Sequence, residues 1–401
     1  MVSCEYTLEM GKKMEKVKNI NGKLALAIIA ILLMSSTLVL LNVNTAAAQT
    51  TAPTASEMLA DDKYGWPVGP GYDGGNSWFN PYSPAPSRPD YLWSSRKPDD
   101  GGSLSSTPGV AFDGKIFIHG GGGFFGGGSV TLYALDPFDG SMIWSAPMTE
   151  GSPRGFGTAT LFKVADGYLG YETSSSIVIH RTSDGEIVGV AEDEDGLFGG
   201  FGGGSVVYWG GFYNAFDMVK MTTALSNPEN WGGDTPVHLA IGWDLSDPEN
   251  PSLKWTWAAP TGIEALCGAP GLCIFGGYGE GQVFALNSTT GELVWSQWKK
   301  GNAGYSAMYS DGKIYHSASS CSITCYDAET GDIIFDQFEG GRAFFVFGDA
   351  VAYNRYIGKN IALPYGYVGA WDADTGEPLW KNLALYNIAY LVGCVADGKF
   401  Y

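Results

Sequence analysis

Apolar residues in this chain fall in short runs, each closed by a polar, glycine-containing step. Val283-Phe284-Ala285-Leu286 is one such run, and Leu293-Val294-Trp295 follows it across Asn287-Ser288-Thr289-Thr290-Gly291-Glu292. Runs this short, bounded by turn residues and rich in Val, Ile and aromatics, predict β-strands; no stretch beyond residue 65 keeps the 3.6-residue period of a helix. The same pattern recurs. Residues 134–144 read Ala-Leu-Asp-Pro-Phe-Asp-Gly-Ser-Met-Ile-Trp, residues 325–335 Cys-Tyr-Asp-Ala-Glu-Thr-Gly-Asp-Ile-Ile-Phe, and residues 370–380 Ala-Trp-Asp-Ala-Asp-Thr-Gly-Glu-Pro-Leu-Trp. In all four copies the acid or amide precedes the glycine by four residues and the closing aromatic by eight: Asp136, Gly140, Trp144; Asn287, Gly291, Trp295; Asp327, Gly331, Phe335; Asp372, Gly376, Trp380. A weaker copy keeps the spacing with Arg181, Gly185 and Gly189. Another, Asp244 to Trp255, carries a three-residue insertion through Pro248 and Pro251.

Each position has a physical job. Asp or Asn can accept hydrogen bonds from the amides of its own turn. Gly supplies the positive φ that such a turn needs. The aromatic at the end of the second strand is large enough to wedge between neighbouring sheets. Upstream of each copy lies a second hairpin, as in Phe112-Asp113-Gly114-Lys115-Ile116-Phe117 and Ser310-Asp311-Gly312-Lys313-Ile314-Tyr315, where Asp-Gly between apolar runs is a strong hairpin signal. About four short strands per repeat, with most repeats 40 to 45 residues apart and one long interval between the second and third, predict the blades of a β-propeller.

The stretch from Gly276 to Trp295 resembles the tryptophan-docking repeat of quinoproteins, the pyrroloquinoline-quinone (PQQ)-like β-propeller family. The likeness covers residues 65–401, with Gly65-Trp66-Pro67 and Tyr91-Leu92-Trp93 similar to the family's lead-in. It implies an all-β propeller of four-stranded blades, here six recognisable blades and a truncated seventh, in a family whose rings usually hold about seven or eight. The seventh is read from Cys394 to Tyr401, which matches Met308 to Tyr315 and then stops. A C-terminally incomplete propeller is therefore expected, with the segment around Tyr91-Leu92-Trp93 as the clasp that would close the ring. The resemblance also places Trp144, Trp295 and Trp380 at structural docking positions, buried between blades. Quinone-dependent dehydrogenases of this family hold PQQ on the propeller axis with calcium bound by Glu and Asn, a catalytic Asp and often adjacent cysteines. No Cys-Cys pair occurs here, and none of those roles can be carried onto a residue of this chain.

Composition adds location and excludes partners. The formal charge is -19; residues 1–48 hold five Lys and three Glu, so residues 49–401 carry -21. Such a surface repels phosphate backbones and excludes nucleic acid as a partner. Lys12, Lys13, Lys16, Lys18 and Lys23 precede an apolar stretch from Leu24 to Leu41, followed by Ala46-Ala47-Ala48. This is a secretion signal cleaved after Ala48, or else an uncleaved membrane anchor, and either leaves residue 49 onward outside. The domains are thus 1–48 signal or anchor, 49–64 linker and 65–401 propeller. Among the cysteines, Cys267–Cys273 and Cys321–Cys325 are candidate disulfides across short turns of an exported chain, with buried reduced thiols an equal alternative.

Candidate chemistry is sparse. The Gly120–Gly128 and Gly199–Gly204 runs lack the Lys-Ser/Thr ending of a phosphate loop. Glu192-Asp193-Glu194-Asp195-Gly196 does not have the spacing of a twelve-residue calcium loop, and His119, His180, His238 and His316 are scattered along strands. Asn287-Ser288-Thr289 is a glycosylation sequon as well as a repeat turn. The reading that follows is an exported, non-catalytic binding or scaffold module at the cell surface, taking a protein or glycan on one propeller face. The alternative is a PQQ- and calcium-dependent dehydrogenase of alcohols or sugars whose remaining site residues lie in missing blades.

Overall fold

The structure is a computed structural model. It describes residues 109–120, 131–148, 161–173, 176–192, 212–226, 237–277, 281–298, 306–318, 322–338, 352–354, 360–364, 367–383, 395–396 and 399–400. The signal or anchor segment, the linker and the proposed clasp lie outside these residues. Among those described, no helix is long and apolar enough to cross a membrane.

The described elements are all strands. The first sheet is β1 (Val110–Phe112), β2 (Lys115–Gly120), β3 (Thr131–Leu135) and β4 (Met142–Pro147); the second is β5 (Phe162–Ala165), β6 (Tyr168–Glu172), β7 (Ser176–Arg181) and β8 (Ile187–Glu192). The third is β9 (Tyr213–Asn214), β10 (Val219–Ser226), β11 (Val237–Asp244) and β12 (Ser252–Ala259); the fourth is β13 (Ile263–Ala269), β14 (Leu272–Gly277), β15 (Gln282–Asn287) and β16 (Leu293–Trp298). The fifth is β17 (Ser306–Ser310), β18 (Lys313–Ala318), β19 (Ser322–Asp327) and β20 (Ile333–Phe338); the sixth is β21 (Ala352–Asn354), β22 (Asn360–Pro364), β23 (Tyr367–Asp372) and β24 (Pro378–Leu383). A two-stranded hairpin, β25 (Val395–Ala396) and β26 (Lys399–Phe400), follows. Six four-stranded antiparallel meanders and the first hairpin of another match the blade count expected from the repeats.

A bulge sits at one point of each repeat turn. Between β15 and β16 the register slips at Ala285/Leu286, between β19 and β20 at Cys325/Tyr326, between β3 and β4 at Ala134/Leu135, and between β23 and β24 at Ala370/Trp371. The extra residue twists the outermost strand and aims the closing aromatic away from its own sheet.

Apolar side chains from adjacent sheets form shared cores. One cluster joins Leu266, Cys267, Ile274 and Trp295 of the fourth sheet to Ala307, Ile314 and Tyr326 of the fifth. Another joins Val219, Met221 and Trp255 of the third to Ile263, Cys273 and Phe284 of the fourth. Both faces of the inner and middle strands of the fourth sheet are therefore buried, so β13 and β14 are buried along their whole length instead of alternating, with Glu264 the one charged residue in them.

Candidate functional site

The repeat residues come together at the junctions between sheets. In the turn after β15, Asn287 Oδ1 accepts the amides of Thr289 (2.9 Å) and Thr290 (3.0 Å), and the Gly291 amide donates to Asn287 O (2.8 Å). Gly291 has φ +73°. Asp327 does the same with Glu329 and Thr330 (3.0 and 2.9 Å), and Asp372 with Asp374 and Thr375 (3.0 and 2.9 Å). The amide of Thr330, above all, holds the Asp327 carboxyl below the usual carboxylate range, and that of Thr375 does so for Asp372. Asp136 caps its turn through the amide of Phe138 at 2.7 Å.

Each finished turn then receives the aromatic of the preceding sheet. The Trp295 indole lies on Gly331, where a Cβ would meet its ring at 2.6 Å, and its Nε1 donates to Ala328 O at 2.9 Å. Trp255 lies on Gly291 and donates to Ser288 O (2.9 Å); Trp144 lies on Gly185 and donates to Thr182 O (2.9 Å). Glycine is required at these seats because any side chain would occupy the space of the indole.

Two junctions depart from the rule. Phe335 covers Gly376 but has no N–H to offer; Tyr315 of the same sheet supplies the donor, its hydroxyl reaching Ala373 O at 3.0 Å. Between the second and third sheets the wedge is inverted. Gly189 stands where the aromatic would be, and Pro248 and Pro251, from the insertion in the third sheet's turn, fill the space beside it. Tyr168 donates to Glu249 at 3.0 Å across the same junction. Beneath it, Lys220 Nζ lies 3.4 Å from Glu172 Oε2 with both side chains buried, and 4.9 Å from the Phe162 ring, which stacks on Tyr213. No motif announced this ion pair: Lys220 stands at a position that other sheets fill with Ile116, Leu169 or Ile314.

The expectation that Trp144, Trp295 and Trp380 are all buried holds in part. Trp295 is 7% exposed and Trp144 is half-buried, but Trp380 is 44% exposed. No described turn lies next in the series to receive it. The cysteine bridge also requires correction. Cys267, Cys273 and Cys325 are free and buried. Cys267 belongs to the core shared with the fifth sheet and Cys273 to the core shared with the third, so they point to opposite faces and cannot bond. Burial pushes the Cys273 and Cys325 thiols up to about 12. Cys321 lies outside the described residues.

His119, His180 and His316 are buried in separate sheets. His180 Nδ1 donates to Gly185 O at 2.8 Å, and burial lowers its pKa. Glu264, near the start of β13, is 4% exposed; its Oε1 has no hydrogen-bond partner, and burial pushes its carboxyl up to about 8. Of the acidic run Glu192 to Asp195, only Glu192 lies within the described residues. The described residues do not fit a calcium-held quinone. Among them no three His, Cys, Asp or Glu side chains converge, Glu172 is matched by Lys220, and Glu264 stands alone between Ile263 and Ala265. Calcium asks for several oxygen ligands at one point.

One family model matches part of the chain. Residues 279–355 match the PQQ_2 family model, described as "Outer membrane protein assembly factor BamB". No curated protein matches the chain. Among solved structures, BamB from Moraxella catarrhalis is 15% identical over 72% of this chain and 74% of its own, with a TM-score of 0.39. A europium-containing methanol dehydrogenase is 13% identical over 86% and 90%, with a TM-score of 0.48. A quinohemoprotein alcohol dehydrogenase from Comamonas testosteroni is 14% identical over 75% and 62%, with a TM-score of 0.48. At these values none of the three structures carries an assignment of activity. The matched residues 279–355 contain two of the capped turns and the Trp295 wedge, so this stretch is similar to the PQQ-like repeat, and the six described four-stranded sheets follow the same plan.

Proposed function

We propose that this chain is an exported, non-catalytic propeller that binds a protein or glycan and acts as a scaffold at the cell surface. The observation that carries the reading is the commitment of the repeat acids and aromatics to turns and junctions, which gives them structural work and leaves no catalytic group among them. In an antiparallel meander, the connections between second and third strands and those between consecutive sheets lie at one end. In chain order, 121–130 and 227–236 join second to third strands, and 193–211 and 339–351 join consecutive sheets. Among the described residues, the opposite end carries the short first-hairpin turns and the repeat turns. The four long segments are rich in glycine and aromatic residues, among them Phe124, Phe198, Tyr208, Trp209, Trp231 and Phe345. Aromatic loops on a rigid scaffold suit recognition of a protein or a sugar face. An assembly-factor description for the matched family model agrees with a scaffold role.

The test uses the full chain isolated from its native envelope. Replacing residues 193–211 by an equally long Gly-Ser segment is expected to abolish co-isolation of the partner while the strand signal and unfolding midpoint stay unchanged. Bound quinone absorbance after calcium addition, with alcohol-dependent dye reduction, would overturn the reading in favour of the dehydrogenase.

A further inference from the structure

The junction between the fourth and fifth sheets encloses a carboxyl that its apolar surroundings do not match. Ile263 and Ala265 belong to the core shared with the third sheet, so Glu264 between them faces the other way, toward the fifth. β13 is the first strand of its sheet and packs on β17, the first strand of the next. Opposite Glu264 on β14 is Gly276, and beyond that on β15 is Val283. The fifth sheet meets this face with Ala307 and Tyr309 on β17, Ile314 on β18 and Tyr326 on β19. His316, opposite Ala307, and Thr324, opposite His316, share that face by register, and Thr324 donates to Asp336 Oδ1 at 2.6 Å. Glu264 is 4% exposed and its Oε1 has no hydrogen-bond partner. On the far side of β13 the third sheet's charges are taken up elsewhere. Tyr213 on β9 donates to Val164 O, Lys220 on β10 pairs with Glu172 toward the second sheet, and Asp244 on β11 holds Lys254 at 3.2 Å. His238 on β11 lies on the same face as Ala240, and Cys273 on β14 also points to the third sheet.

We infer that Glu264 is a proton-operated latch on this junction: protonated, it lets β13 and β17 stay packed, and when it gives its proton to solvent the two first strands part while each sheet keeps its own ladder. The physical reason is that a carboxylate without a hydrogen bond or a cation is costly among apolar side chains, whereas the neutral acid is tolerated. Burial holds the closed form's carboxyl up to about 8, and water returns it to 4.5. Opening releases one proton, so each pH unit between 4.5 and about 8 multiplies the open fraction by up to about tenfold. Above about 8 the closed form is ionised as well and the dependence stops. The device goes beyond the scaffold reading and does not depend on which partner the long connections take.

Two thiols of the fourth sheet report on its two sides. Cys267 is buried in the core shared with the fifth sheet and Cys273 in the core shared with the third. The full chain is treated with iodoacetamide between about pH 6 and 9, and modification of each cysteine is followed by peptide mass spectrometry. The ratio of the two rates cancels the thiolate dependence that both share once exposed. The expected result is a Cys267-to-Cys273 ratio that rises by up to about tenfold per pH unit from about 6 to 8 and then levels off. Glu264→Gln holds the ratio flat, and Glu264→Met, an apolar replacement that needs no hydrogen bond, does the same. A ratio independent of pH in the unaltered chain overturns the latch. A rise that persists in both variants overturns it in favour of His316. Equal rises at both thiols that the variants abolish show Glu264 acting on unfolding of the whole fold, and overturn the local opening.

Discussion

The junction between the fourth and fifth sheets and that between the second and third join equivalent edges by opposite means. In the first, Trp295 reaches forward, lies on Gly331 and donates to Ala328 O. In the second, Gly189 withdraws, the Pro248–Pro251 insertion reaches back, and a buried Lys220–Glu172 pair sits below. What the repeat conserves is therefore a filled volume, and either side can supply it. The wedge costs a glycine on the receiving turn, and the inverted form costs a longer turn and a desolvated ion pair. The apolar junction loses stability in proportion to the volume removed, whereas the ionic one depends on both partners being present, so that removing both costs less than removing one.

Five substitutions break or sharpen that contrast. The largest effect is expected from Trp295→Ala, which empties the wedge and strands the Ala328 carbonyl: a loss of about 3–5 kcal/mol in denaturant unfolding. Next comes Lys220→Met, which leaves Glu172 as an unmatched buried charge and is expected to cost about 3 kcal/mol. Adding Glu172→Leu to Lys220→Met should return most of that loss; a double variant as unstable as the single one would show that the pair is not the unit. Tyr315→Phe removes only the hydroxyl donor to Ala373 O and should cost about 1 kcal/mol, whereas a change within error would show that Phe335 alone holds the fifth junction. The smallest effect belongs to acid titration. The depressed pKa values of Asp327 and Asp372 mean that their caps contribute above the unfolded value near 3.8 and are lost as pH falls below it. Asp327→Asn should flatten that acid loss, as the fourth sheet's turn, capped by Asn287, already does.

Glu264 gives the opposite pH sign. Its carboxyl stays protonated in the folded chain up to about 8, while the unfolded chain releases the proton near 4.5. Stability therefore declines from about pH 4.5 to about 8, and Glu264→Gln is expected to remove that decline in unfolding midpoints measured across the range.

The four-strand repeat, the capped turns and the tryptophan wedges were legible in the sequence because each rests on a residue type at a fixed interval. Asp-x-x-x-Gly and a closing aromatic can be counted without coordinates. The inverted junction was half visible: the insertion through Pro248 and Pro251 was read, but its relation to Gly189, 59 residues earlier in the numbering, is a matter of space. Lys220 and Glu172 carried no signal, since each is a lone charge in a strand until folding brings them together. The cysteines misled for a related reason. Short separation along the chain suggested a bridge, and strand alternation placed Cys267 and Cys273 on opposite faces. Asn287 remains a candidate glycosylation site: its Oδ1 is committed to the turn, so a sugar on Nδ2 has to leave the cap intact.

The forward direction of the wedges also sets a timetable for biosynthesis. Trp255 and Trp295 each precede the glycine that will cover them by 36 residues, and Trp144 by 41. At roughly 5–20 residues per second of synthesis, the first, third and fourth sheets each wait some seconds with a bare indole at the leading edge. A chain made in order thus closes its junctions one after another, and a slow or paused translation is the moment when a waiting indole can catch on something else.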